Sequence, residues 1–208
     1  MRYSASHKTH TRARILATAS QAFRERGVVA TGVDEVMRRA GLTHGGFYSH
    51  FRNKSELMAA ACVAGFESAV ENLDRIARLP TSRARVRALV GSYLGTRHRD
   101  NPAAGCLVAA LGAEASRLDG ESRDAYSQAF QGHLRRVAEA LRLVPEEAEN
   151  TRRVTALLSF LVGSLLVARS VADPSASDQI LAQARETALA LFAEPFSETR
   201  FHPNPRSS

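Results

Sequence analysis

Tryptophan is absent from this 208-residue chain, aromatic residues make up only 6% of it, and there are just two cysteines, Cys62 and Cys106. Two thiols cannot build a disulfide framework. The longest uncharged apolar stretch, residues 154–168, is shorter than the about 20 residues of a spanning helix, which predicts a buried core helix and no membrane partner. No positively charged start runs into an apolar segment with a cleavage site, so the expectation is a cytoplasmic protein. Nor does any stretch alternate apolar and polar over strand length, which excludes a sheet from the reading. HExxH, CxxC, Walker and GxGxxG patterns are all missing, and neither a metal nor a cofactor is expected. What is present is a chain with 44% hydrophobic and 24% charged residues. That is long enough and apolar enough to fold around a core as one or two domains, which excludes wholesale disorder.

The net charge of +7 is unevenly placed. Residues 1–55 hold ten Lys/Arg (Arg2, Lys8, Arg12, Arg14, Arg24, Arg26, Arg38, Arg39, Arg52, Lys54) against Glu25, Asp34 and Glu35, so they carry the whole excess. The remainder is neutral. A basic quarter implies a polyanionic partner, and a neutral remainder needs a different task. Arg2 and Lys8 read as a loose arm.

Ile15, Leu16, Ala19, Ala22 and Phe23 recur at helical spacing over about 7–26, and Gly27 supplies a stop. Val33, Val36, Met37 and Ala40 predict a short second helix ending at Gly41. Thr43 can cap a very short third helix with Phe47 and Phe51 facing inward. A long helix is expected over 54–78, then helices over 82–99, 105–117 and 120–143. Pro145 should open the next at N1 and carry it to about 171, and a last helix should cover 175–193 before a frayed tail at 201–206. The fold class is therefore all-α. Its domains are expected at 1–53, with a helix-turn-helix, and at 54–208, a larger helical bundle.

A second helix ending at Gly41, a turn through Leu42 and a third helix from Thr43 make a helix-turn-helix, whose third helix enters the major groove of double-stranded DNA. The pattern Ala40-Gly41-Leu42-Thr43-x-Gly45-x-Phe47-Tyr48-x-His50-Phe51-x-x-Lys54-x-x-Leu57 closely resembles the DNA-binding domain of the TetR family of bacterial transcriptional regulators. The resemblance implies base-edge contacts from Thr43, His44 and Gly46, and phosphate contacts from Tyr48, His50 and Lys54, with Gly45 allowing close backbone approach. Many members carry a hydroxyl residue at the position of Gly32, so Thr31 or backbone N–H groups must take over that phosphate contact here. The stretch from Arg97 to Pro102 followed by Gly105-Cys106-Leu107 is similar to one found in some members.

For the remainder the resemblance implies dimerisation and binding of a small-molecule inducer. Residues 154–168 are apolar or small on every face and must be covered all round. The dimer face is expected at Leu157, Leu161, Ser164 and Leu165, with Ala184, Ala188 and Leu191 of the last helix building a four-helix contact in a homodimer. The candidate ligand cavity comprises Cys62, Phe66, Tyr93, Leu94, Cys106, Ala110, Tyr126, Phe130 and Phe160. The leading expectation is a repressor, not an enzyme, released from a palindromic operator by a largely apolar ligand. Two alternatives stand beside it: a regulator responding to thiol oxidation, and an enzyme built on Cys106 with His98 as base.

Overall fold

The computed structural model describes residues 5–193; Arg2 and the tail at 201–206 lie outside them. Among the described residues the α-helices are α1 (Ala5–Ala30), α2 (Val33–Arg39), α3 (Lys54–Ser68), α4 (Val70–Ala77), α5 (Ser82–Tyr93), α6 (Thr96–Asp100), α7 (Leu107–Ala115), α8 (Gly120–Leu141), α9 (Glu147–Ser170) and α10 (Pro174–Phe192). Two 3₁₀ segments, His44–Ser49 and Pro102–Ala104, complete them, and no strand occurs among the described residues. Lys8 lies in the exposed first turns of α1 and not in a loose arm.

Helical spacing delivers the inner face of α1: Ile15, Ala19, Ala22 and Phe23 are all buried. Gly27 interrupts this helix with φ 77°, a left-handed conformation that glycine adopts without a Cβ penalty, and the chain then turns helical again as far as Ala30. In α2, Asp34 and Glu35 stand in the first turn and Arg38 and Arg39 in the last, each complementing the helix dipole.

Several helices divide where sequence periodicity runs on. The expected helix over 54–78 breaks at Ala69, where the hydroxyl of Ser68 donates to the Gly65 carbonyl (2.9 Å) and competes with the regular ladder. The helix over 82–99 breaks after Tyr93. There Leu94 turns fully into the core, its carbonyl accepts from Arg185 Nη1 (2.8 Å), and Gly95 starts α6. Pro145 is not at N1 of α9: the N-cap is Glu146, whose carboxylate accepts from the backbone of Ala148 and Glu149. The next helix does follow the rule, with Asp173 as N-cap and Pro174 at N1 of α10.

Two apolar cores result. One joins α1, α2, Phe47 and Phe51 to Leu57, Met58, Cys62 and Phe66 of α3 and to Leu107 and Leu111 of α7. The other is built by α4, α5, the end of α8, α9 and α10. By length and composition α9 is apolar enough to cross a membrane, but its Val154, Leu157, Leu161, Leu165 and Ala168 are buried inside this second core. That burial corrects the expected dimer face. Leu157, Leu161 and Leu165, together with Ala184 and Ala188, are covered within a single chain, Ser164 is half-buried, and only Leu191 (51% exposed) stands in the open. Leu166 and Val167 are the exposed large apolar residues of α9. A helix apolar on every side carries no periodic signal of which stripe faces inward.

Candidate functional site

The helix-turn-helix is assembled from α2, the turn at Gly41 (φ 67°), and the segment His44–Ser49, which is a 3₁₀ helix and not an α-helix. Thr43 holds its N-cap position without a side-chain bond, so its hydroxyl is left for a partner. Phe47 and Phe51 anchor the segment in the core, with ring centroids 5.8 Å apart. Anchoring these two turns the other side outward: Thr43, His44, Gly45 and Tyr48 are exposed, Tyr48 by 67%. His44 pairs with Asp34 of α2 and meets the Tyr48 ring edge-on at 5.8 Å. A Cβ on Gly45 would touch nothing, and one on Gly46 would make ordinary contact with Met37 (3.6 Å). The chain's own packing therefore demands glycine at neither position.

Lys54 follows the N-cap of α3, where Asn53 Oδ1 accepts from the Glu56 N–H (2.8 Å). Partial burial lowers its pKa below the ordinary lysine range. His50 is half-buried, its carbonyl accepts from Arg12 (2.9 Å), and its Nδ1 has no hydrogen-bond partner. Burial, aided by the charges of Lys8 and Arg12, pushes its pKa down. Thr31 lies elsewhere: it is fully buried and its hydroxyl donates to the Gly27 carbonyl (2.8 Å), closing the end of α1 and leaving nothing for a phosphate. Gly32 is the exposed N-cap of α2.

The basic excess sorts into four groups, one of them Arg12 alone, whose guanidinium donates to the His50 carbonyl and lies over the Phe51 ring (4.3 Å). Arg26 and Arg39 pair with Glu35, and Arg39 also with Glu25 (2.9 Å), while Arg52 joins Glu56 (3.1 Å) to Glu121 of α8 (2.8 Å). Lys8, Arg14, Arg38 and Lys54 have no carboxylate within ion-pair distance among the described residues, so they supply the free positive surface. Arg24 does neither. It points from α1 toward the second site.

That site is a cavity of about 1040 Å³ bounded by α1 and by α3 to α9. Of the residues considered for a ligand cavity, Phe66, Tyr93, Cys106 and Phe130 line it. Cys62, Leu94, Ala110, Tyr126 and Phe160 do not. Cys62 and Leu94 are wholly buried in the cores, and burial pushes the Cys62 thiol up to about 12. Ala110 packs on the first core and Phe160 on the second, while Tyr126 stands behind the wall, stacked on Phe130 (6.3 Å). Arg24 and His133 are wall residues that periodicity does not reveal. His133 stacks on Phe66 at 5.1 Å, its Nδ1 is unpartnered, and burial lowers its pKa. The Tyr93 hydroxyl is likewise buried, with no partner at good hydrogen-bond geometry, and burial, then the neighbouring Cys106 thiol, raises its pKa.

Cys106 is the N-cap of α7, half-buried at the wall. His98 does not face its sulfur as a base. Its Nδ1 meets the Tyr93 carbonyl (2.6 Å) and its Nε2 accepts from the Cys106 backbone N–H (3.0 Å), so both ring nitrogens are engaged and the ring is held as a spacer. Gly105 makes room for it, since a Cβ there would fall 2.9 Å from Nε2. The nucleophile-base pair that an enzyme on Cys106 requires is absent from this geometry.

A helix-turn-helix at one end and a cavity-bearing helical bundle at the other define a helix-turn-helix regulatory protein. Residues 15–61 match the bacterial regulatory proteins of the tetR family, and residues 82–188 match the tetracyclin repressor-like C-terminal domain. The chain is 40% identical over 76 residues to the transcriptional regulator TtgR of Pseudomonas putida, a match spanning 36% of this chain and 34% of TtgR. It is 27% identical over 138 residues to the transcriptional repressor NemR of Escherichia coli, 65% of this chain and 69% of NemR. The crystal structure of reduced E. coli NemR superimposes with a TM-score of 0.70 at 24% identity, covering 89% of this chain and 98% of that one. That of AibR with isovaleryl coenzyme A and operator DNA does so with 0.58 at 23% identity, covering 89% and 100%. The two solved structures share the fold. The chain belongs to the TetR family.

Proposed function

We propose that this chain is a cytoplasmic repressor that holds a near-palindromic double-stranded operator as a two-fold dimer and leaves it when a small, largely apolar molecule enters the cavity. The observation that carries this reading is one helix with two duties. α3 presents Lys54 at its first turn and Phe66 in the cavity wall twelve residues later, about 18 Å along the axis. A ligand that displaces Phe66 moves the helix on which the recognition segment rests. Thr43, His44 and Gly46 read bases; Tyr48, His50 and Lys54 hold phosphates; Gly32 offers only backbone. Function divides at 53/54, although the first core runs across that point. AibR, solved with both a ligand and its operator, gives the fold a precedent for the pairing.

The dimer face lies on the exposed side of α9 away from the cavity, at Ala156, Leu166 and Val167, continued by Leu191 of α10. Half-sites one helical turn apart require this two-fold pairing. The test is operator binding followed by fluorescence anisotropy with ligand titrated in, for the wild type and for Val162→Phe, which fills the cavity. Operator binding in both, with release only in the wild type, supports the reading. Release that survives in a correctly folded Val162→Phe protein refutes this cavity as the trigger.

A second reading is favoured by one observation: Cys106 is half-exposed at the wall of the same cavity, whereas Cys62 is sealed. A peroxide would oxidise the Cys106 thiol to a sulfenic acid and be reduced to water or alcohol, placing a polar group against the wall. Operator release by peroxide alone, lost in Cys106→Ser, selects this reading over the first.

A further inference from the structure

The cavity wall includes Arg24, Arg75 and Arg97 together with His98 and His133, and no aspartate or glutamate. The rest of the lining mixes apolar side chains, Phe66, Leu73, Phe130, Leu158 and Val162 among them, with uncharged polar ones such as Asn72, Ser92 and Thr155. A cation facing an apolar enclosure is costly unless something negative meets it. Arg24 is half-buried whereas Arg75 and Arg97 are exposed, and burial lowers the Arg24 pKa. Among the described residues its guanidinium has only neutral acceptors, the carbonyls of Ser20 (3.1 Å) and Gly105 (3.1 Å). The wall also holds two buried polar atoms with no partner at good hydrogen-bond geometry, Tyr93 Oη and His133 Nδ1. This is the donor set of an anion site beside an apolar floor.

We propose that the ligand of this cavity is an amphipathic organic anion whose acidic head is received by Arg24, so that a side chain of the DNA-binding unit touches the ligand directly. The proposal rests on the ligand-released repressor reading and names the chemistry of its ligand. The apolar body lies on Phe66 and Phe130, and the head takes charge-assisted hydrogen bonds from Arg24, with Arg75 and Arg97 adding positive potential at the wall. Arg24 is on the same helix as Ile15, Ala19 and Phe23 of the first core, and its bond to the Gly105 carbonyl ties α1 to the start of α7. An anion that recruits the guanidinium competes with that carbonyl. Occupancy thereby acts on α1 itself, besides acting through α3.

The experiment uses the full chain and two fluorescent probes with the same rings, 8-anilinonaphthalene-1-sulfonate and the uncharged N-phenyl-1-naphthylamine. The wild type is expected to bind the sulfonate at least about tenfold more tightly, and Arg24→Met to bring the two within about twofold, with Arg24→Lys in between. Equal or tighter binding of the uncharged probe to the wild type overturns the proposal, and that comparison needs no variant to fold. An unchanged preference in a folded Arg24→Met protein overturns the role of Arg24. Operator affinity is measured in parallel with and without sulfonate. If no operator binding is seen at all, the repressor reading fails while the probe ratio still decides the anion site.

Discussion

Gly45 separates folding from function most cleanly at the scale of a residue. Two glycines in a six-residue helical segment cost about 1 kcal/mol each relative to alanine, and a Cβ on Gly45 would meet no atom of the chain within 4 Å. Gly45→Ala should therefore leave the melting temperature unchanged or raise it, while weakening operator affinity about tenfold or more, the scale of one spoiled base contact. Calorimetry and anisotropy check the two halves; unchanged affinity would show that this segment does not approach DNA. Lys54→Ala should lower affinity for all duplexes and reduce the slope of log K against log salt by about one unit per site. The exposure of Thr43 and Tyr48 and the place of Lys54 at the start of α3 were legible in the sequence because all three belong to one short local pattern. Thr31 misled, since a buried hydroxyl and an exposed one look alike in sequence. Arg24 was counted only as part of the basic excess, because its partner, Gly105, is 81 positions away.

Among the elements, α9 decides how assembly is probed. Leu161 is fully buried within one chain and Leu166 is 45% exposed. Leu161→Glu should destabilise the single chain by at least about 3 kcal/mol, since it buries an unpaired carboxylate in place of a packed side chain. Leu166→Glu should keep the fold and melting temperature, yet halve the mass seen by sedimentation and cost operator affinity. A dimer that persists in Leu166→Glu contradicts the proposed face. Helix starts and stops were readable where the signal is local, as at Gly27, Gly41 and Asp173. The break at Leu94 was not, because tertiary packing makes it: Leu94 is drawn into the core and Arg185 satisfies the carbonyl that the break frees. Likewise, the all-apolar run of α9 announced burial but not which stripe is inward.

At the scale of the molecule, the two cores and the cavity between them share a pH response. Burial depresses the pKa of His50, His98 and His133 below the ordinary histidine value. A depressed folded-state pKa contributes stability that is complete above about 6.5, the unfolded value, and is lost as pH falls through the lower folded values. Unfolding free energy measured by denaturant should thus be level from pH 8 to 7 and decline toward pH 5, with a shallower decline in His133→Phe. The central claim remains the operator. Its most direct test is selection of duplexes from a randomised pool by the wild-type chain, followed by titration of the recovered sequence. The account predicts an enriched inverted repeat, bound by two chains per duplex at least about a thousandfold more tightly than scrambled DNA at physiological salt. Recovery of no common sequence, or binding of one chain per duplex with no preference over scrambled DNA, would contradict it.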